Sequence, residues 1–201
     1  MLRLIRIGAV GLLAGACAAP SAGLMPSRAP DFKTSEIRRP ALLVRVSFGP
    51  GEWSERERAS LPPEYEGTLV EALNAKAVLA RDVQLVAREA GSFGGPTALA
   101  RAREVGADHA VLVDVRVTRG DMVFCRESRR PFRATTTVWV QSVEVFRVAD
   151  GGKRLTLPEG PALSAAELDA DCDDPKRSTR RSTSETIGEA VQRLVRGLVG
   201  P

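Results

Sequence analysis

Three cysteines, one histidine and two clusters of charge are the residues of this 201-residue chain whose chemistry goes beyond packing. Cys125 and Cys172 form an even pair, which in an exported chain is the material of one disulfide, with a buried pair of free thiols as the alternative. Closing the long loop between them would stabilise the fold by on the order of 4 kcal/mol before strain. His109 is the sole histidine. Neither a histidine-based zinc cluster nor a Ser-His-Asp triad can be assembled around it, and its expected role is packing at a strand end. Glu167, Asp169, Asp171, Asp173 and Asp174 share the Asp-x-Asp-x-Asp spacing that opens a calcium loop. They lack the glycine and the distant bidentate glutamate that complete one. The expectation is a solvated loop whose charge is countered by Lys176, Arg177, Arg180 and Arg181. Arg126, Arg129, Arg130 and Arg133 form a second basic cluster beside Cys125. A Cys125–Cys172 bond would bring the two basic segments together as a candidate surface for anionic lipid headgroups or an acidic partner, against the plainer reading of solvated charge. Nucleophile-elbow, phosphate-loop and dinucleotide glycine motifs are absent, so no metal, cofactor or enzymatic turnover is expected.

The third cysteine belongs to the amino terminus. Arg3 and Arg6 precede a short apolar stretch over 7–16, the pattern of an export signal and too short to span a bilayer, which takes roughly 20 apolar residues. Leu13-Ala14-Gly15-Ala16-Cys17 resembles the lipobox of bacterial lipoproteins. The resemblance implies cleavage before Cys17 and lipidation there, with Ala18 pointing to the outer membrane. The alternative is ordinary cleavage around Ala16-Cys17-Ala18, which releases a soluble periplasmic protein. Loss of Arg3 and Arg6 reduces a formal charge of +4 to +2. Such a weak bias in an exported chain does not indicate nucleic-acid binding, despite a pI near 9.3.

The elements that hold these residues follow from hydropathy. At 43% hydrophobic, 27% charged and only 4% aromatic residues, the chain is globular, with a core of small aliphatics and two tryptophans. Residues 17–40, rich in Pro, Ser and Ala, read as anchor and flexible tether, and 41–201 as one globular domain. Residues 41–48 alternate as a strand, a polar insertion runs through Pro62 and Pro63, and 65–80 carry a helical period. A short strand over 83–87 precedes a helix opening at Pro96, with Ala98, Ala102 and Val105 inward and Gly106 as its cap. Val111, Val113, Val115 and Val117 mark a strand over 109–117. Residues 134–148 form another, whose alternation slips near Gln141 and Ser142 and predicts a β-bulge there. Asp150-Gly151-Gly152 turns into a strand at 153–157. Ser182 and Glu185 then cap a helix with the stripe Ile187, Ala190, Val191, Leu194, Val195 and Leu198.

This order predicts an α/β (α+β) fold, a mixed sheet of about five strands with three helices mainly on one face. The run from the first strand through "GADHAVLVDVRV" and "VFRVADGGKR" to the last helix resembles the α/β domain of periplasmic TolB amino-terminal and CsgG-type lipoproteins. The expected function is that of a non-enzymatic envelope lipoprotein acting through protein contacts in assembly, transport or secretion. A periplasmic enzyme or a peptidoglycan-binding module is the alternative.

Overall fold

The structure, a computed structural model, describes residues 25–76, 83–88, 93–125 and 131–199. In chain order its elements are β1 (Ser27–Arg28), β2 (Pro40–Phe48), α1 (Glu55–Asn74), β3 (Gln84–Arg88), α2 (Gly95–Glu104), β4 (His109–Phe124) and β5 (Pro131–Arg147). They continue with β6 (Lys153–Leu157), β7 (Ser164–Ala166), β8 (Leu168–Asp169), β9 (Thr179–Arg180) and α3 (Thr183–Val199). The α/β class and the mixed sheet are as expected, with seven strands where about five were counted. Their order is β1-β6-β5-β4-β2-β3, with β7 also beside β5, and β8 pairs β9 separately. β2 runs parallel to both β3 and β4, and the remaining pairs are antiparallel.

Two successive crossovers shape the layers. The step from β2 to β3 goes one way across the sheet and the step from β3 to β4 goes back past β2, so two right-handed connections leave their helices on opposite faces. α1 and α3 accordingly cover one face over Leu42, Val44, Val111, Val113, Val115, Val117, Trp139, Val143 and Val145. α2 covers part of the other, with Ala98 and Ala102 against Ala41, Leu43, Ala110, Leu112 and Phe146. Gly95, at the start of α2, lies against the Phe146 ring so closely that an added Cβ would stand 2.8 Å from it. All six stripe residues of α3 are buried, each worth about 1.5–3 kcal/mol for a full-sized aliphatic side chain.

Four expectations are corrected. α1 begins ten residues earlier than its apolar period suggested, because Ser54 and Glu57 form a reciprocal capping box. Pro62 and Pro63 lie inside that helix; Pro62 is buried on the same helix as Leu61, Tyr65, Leu69 and Leu73, so its packing offsets the hydrogen bond it cannot donate, while Pro63 is exposed. Residues 77–80 of the expected helix lie outside the described ones. No bulge occurs at Gln141 and Ser142. β4 and β5 stay in register from His109↔Arg147 to Gly120↔Thr136, and the irregularity falls between Gly120 and Met122. Val105 is 47% exposed at the end of α2, where Gly106 takes the left-handed conformation (φ +66°) that closes the helix.

The fourth correction concerns the tether. Residues 25–40 belong to the domain: Phe32, Thr34 and Ile37 are buried, and Ser27 and Arg28 pair with Thr156 and Leu155. Two isolated apolar residues have no period to read, which is why the segment looked unstructured. The signal segment, Cys17 and Arg126, Arg129 and Arg130 lie outside the described residues. Among the described residues no helix is long and apolar enough to cross a membrane.

Candidate functional site

β4 and β5 extend beyond the rest of the sheet as a long hairpin, and the disulfide lies on its flank. Cys125, just after β4, is bonded to Cys172 in the loop between β8 and β9, with a Cα–Cα distance of 5.7 Å. The acidic run of that loop is engaged within the chain. Asp171 accepts the backbone N–H groups of Asp173 and Asp174, each at 2.9 Å, and lies 3.0 Å from the Arg177 guanidinium. Its carboxyl is held below the usual range, first by the Asp174 N–H, then by that of Asp173 and by Arg177. Asp174 lies 3.7 Å from Arg177, Arg180 is 4.0 Å from Glu167, and Arg181 is 3.3 Å from Asp169 and 2.7 Å from Glu189. Among the described residues no group of three or more His, Cys, Asp or Glu side chains converges on a metal-sized point.

The basic surface expected from the sequence is therefore divided. Arg177, Arg180 and Arg181 are neutralised by the chain's own carboxylates, so the mutual repulsion expected of them is already relieved. Arg133 and Lys176 are exposed. At the base of the hairpin, Arg119 stacks 4.2 Å over the Trp53 ring and donates to Glu57 at 2.6 Å. That bond, followed by those from Ser54, lowers the Glu57 carboxyl to about 2.

The remaining polar groups hold the fold. His109 is buried at the start of β4, with Nδ1 2.9 Å from Asp108 and its ring 6.1 Å from Phe32. The other Asp108 oxygen accepts the backbone N–H groups of Arg38 and Arg39, so this pair pins the amino-terminal segment to the sheet. Gln141 explains the apparent slip in β5, because it occupies an inward core position. Its amide accepts the Tyr65 hydroxyl and donates to Leu163 O and Ala190 O at 2.9 Å each. Tyr65 stacks on Trp139 with centroids 5.8 Å apart, and burial pushes its hydroxyl pKa up. Sequence reading missed this network. A lone polar residue interrupting an alternating strand, with a tyrosine on a facing helix, was its only trace.

Two surfaces are open. On the face away from α1 and α3, α2 leaves the far half of the sheet uncovered. There Arg116 pairs with Glu159 at 2.6 Å and Lys153 pairs with Glu144. Shallow grooves of 280 and 450 Å³ run beside Ser142 and Glu144 and beside Val140 and Ser164, meeting at Glu159. At the opposite end from the hairpin, Arg28 and the Thr34 hydroxyl both donate to Leu198 O at 2.9 Å, closing the carboxyl end of α3. Beside this latch, Pro26, Leu157, Pro158, Leu163, Arg193 and Arg196 line a groove of 460 Å³.

No protein-family model and no curated protein matches the chain. Among solved structures it is similar to the PelC dodecamer from Paraburkholderia phytofirmans, at 13% identity and a TM-score of 0.42 over 88% of this chain and 96% of that one. It is also similar to the hypothetical protein CT253 from Chlamydia trachomatis, at 17% identity and a TM-score of 0.39 over 79% and 93%. Lipoprotein GNA1162 from Neisseria meningitidis aligns at 12% identity and a TM-score of 0.36 over 78% of this chain and 96% of its own.

Proposed function

We propose that the chain is an exported bacterial envelope lipoprotein, held to a membrane through Cys17, that works by contacts with protein partners in envelope assembly, transport or secretion. The observation that carries the reading is the Cys125–Cys172 bond, since disulfides persist in oxidising compartments and are rare in the cytosol. Cys17 behind a short apolar segment supplies the anchor, and Ala18 favours the outer membrane. The element order from β2 to α3 supports kinship with TolB amino-terminal and CsgG-type domains.

The state of the polar groups favours binding over turnover. Glu57, Asp150, Asp171 and Glu185 are all shifted down, by guanidinium partners or by backbone N–H groups, so they stay charged at neutral pH. A general acid or base needs the opposite tuning, toward neutrality. Tyr65, whose hydroxyl pKa is raised by burial, is tied to Gln141.

The test is fractionation of cells making the full chain, followed by mass spectrometry. The expected result is a membrane-bound protein with a diacylglyceryl-modified Cys17 at its amino terminus and no alkylatable thiol at Cys125 or Cys172. An unmodified terminus at Ala19 overturns the anchor. Free thiols at both positions in a cytosolic fraction overturn export.

A further inference from the structure

At the end of the sheet where β2 and β4 begin, six exposed cations have no acidic partner among the described residues: Lys33, Arg38, Arg39, Lys76, Arg103 and Arg196. They come from four separate stretches of chain that the fold brings to one end. Thr34, next to Lys33, bonds Leu198 O at the carboxyl end of α3, two residues past Arg196. Ile37, Pro40, Leu73, Val83 and Leu198 line one small apolar cavity, which places Arg38 and Arg39 beside the ends of α1 and α3 and brings Lys76 close behind. Asp108 N–H bonds Arg39 O, and Ala107 N–H bonds Ala102 O, which sets the end of α2 and Arg103 alongside.

The acids at this end are already engaged. Glu104 pairs with Arg101 and Asp31 lies 3.6 Å from Arg154. Asp150 holds Arg147 and Arg154, and Asp108 holds His109 and two backbone N–H groups. Among the described residues Glu36 and Glu71 are left to face the six cations.

The chain enters the domain near this end, beside the last turn of α3. Pro26 lines the 460 Å³ groove beside Arg193 and Arg196, and only residues 18–24 separate Met25 from Cys17, a stretch whose Cα–Cα steps span at most about 29 Å fully extended. We propose that this end is a docking surface for an anionic phospholipid bilayer, the one that holds the Cys17 anchor. The proposal rests on the reading of Cys17 as that anchor. Attraction of lysine and arginine to anionic headgroups acts within a Debye length of about 8 Å. So short a connection to the anchor keeps the cations near enough for that attraction to be sampled continually. Docked in this way, the domain turns its disulfide-bonded hairpin end away from the membrane.

The lysines report the contact. The mature lipoprotein is reconstituted into vesicles of phosphatidylcholine alone or mixed with phosphatidylglycerol, and each amine is footprinted with an acylating reagent read by mass spectrometry. Lys33 and Lys76 should react at least about tenfold more slowly on the anionic vesicles, given roughly fivefold attraction per cation, while Lys176 at the far end keeps one rate on both. Arg38→Glu, Arg39→Glu and Arg196→Glu together should abolish the slowing, as should high salt, with circular dichroism unchanged because all three side chains are exposed. Equal rates for Lys33 and Lys76 on the two vesicle types overturn the proposal, and an acidic protein as the true occupant would give that result. Slowing of Lys176 to the same degree overturns it as well, because the hairpin end would then be the docked one. Failure to enter either vesicle would instead count against the anchor.

Discussion

At the hairpin end of the sheet, Arg177, Arg180 and Arg181 each lie within 4.0 Å of a carboxylate contributed by their own loop or by α3. At the other end Lys33, Arg38, Arg39 and Arg196 face no such group among the described residues. The first region has little regular structure, two two-residue strands and a three-residue turn, and is held by a covalent bond and local ion pairs. The second is built on the ends of α1, α2 and α3 and the first residues of β2 and β4, and its backbone is fixed by hydrogen bonds across long sequence separations. The difference teaches that charge at the hairpin end serves to order a loop. At the latch end the order is supplied by the framework, so the charge there is available to solvent or to a ligand.

The largest break in this contrast should come from the covalent bond. Replacing Cys125 and Cys172 together by serine removes a cross-link between residues 47 apart, a loss on the order of 4 kcal/mol, or roughly 10 °C in Tm for a domain of this size. Thermal melting measures the total, and hydrogen exchange locates it. Exchange should accelerate in 167–181 and stay unchanged in 25–40. Acceleration spread evenly over both would mean that the two ends are one cooperative unit.

Thr34→Val should have a smaller effect at the opposite end. The hydroxyl that donates to Leu198 O is buried, so its loss costs about 1–2 kcal/mol, measured by urea unfolding. Exchange should speed up in 25–39 and in the last turn of α3, with the disulfide loop unaffected.

The smallest effect is a pH dependence at the base of the hairpin. Arg119, and then Ser54, lower the Glu57 carboxyl from 4.5 to about 2. The stabilisation it contributes is fully present above pH 4.5 and is lost as the pH falls toward 2. Because Arg119 also lies over Trp53, indole fluorescence should follow that loss. Glu57→Gln should remove the acid-dependent step while leaving the emission of Trp139, in the core, unchanged.

Much of the framework was legible in the sequence because burial there is periodic. Val111, Val113, Val115 and Val117 in β4 and the α3 stripe are repeats of 2 and 3.6 residues, and every one of those side chains is buried. The disulfide was legible because a cysteine pair in a chain read as exported has few other uses. The segment 25–40 was not, since Phe32 and Ile37 dock through contacts with residues far along the chain. The prolines of α1 misled because propensity is local, whereas the burial of Pro62 that offsets it is tertiary. Gln141 misled for the opposite reason: its position follows the strand period, and only its satisfied hydrogen bonds make a polar side chain acceptable there. For the charges, sequence proximity grouped the arginines that the fold pairs off. The cations that stay unpaired come from four distant stretches, invisible as a cluster until the chain is folded.

The latch between Thr34 and Leu198 joins residues 164 positions apart, and Arg28 reaches the same carbonyl across 170. The chain emerges amino terminus first, so Arg28 and Thr34 are made well before the partners they bond. β1 has no strand to pair with until Leu155 and Thr156 arrive, and the latch waits longer still, for the carboxyl end of α3. Completion of this domain thus waits for α3, and loss of even the last turn of that helix would leave Arg28 and Thr34 without the carbonyl they bond.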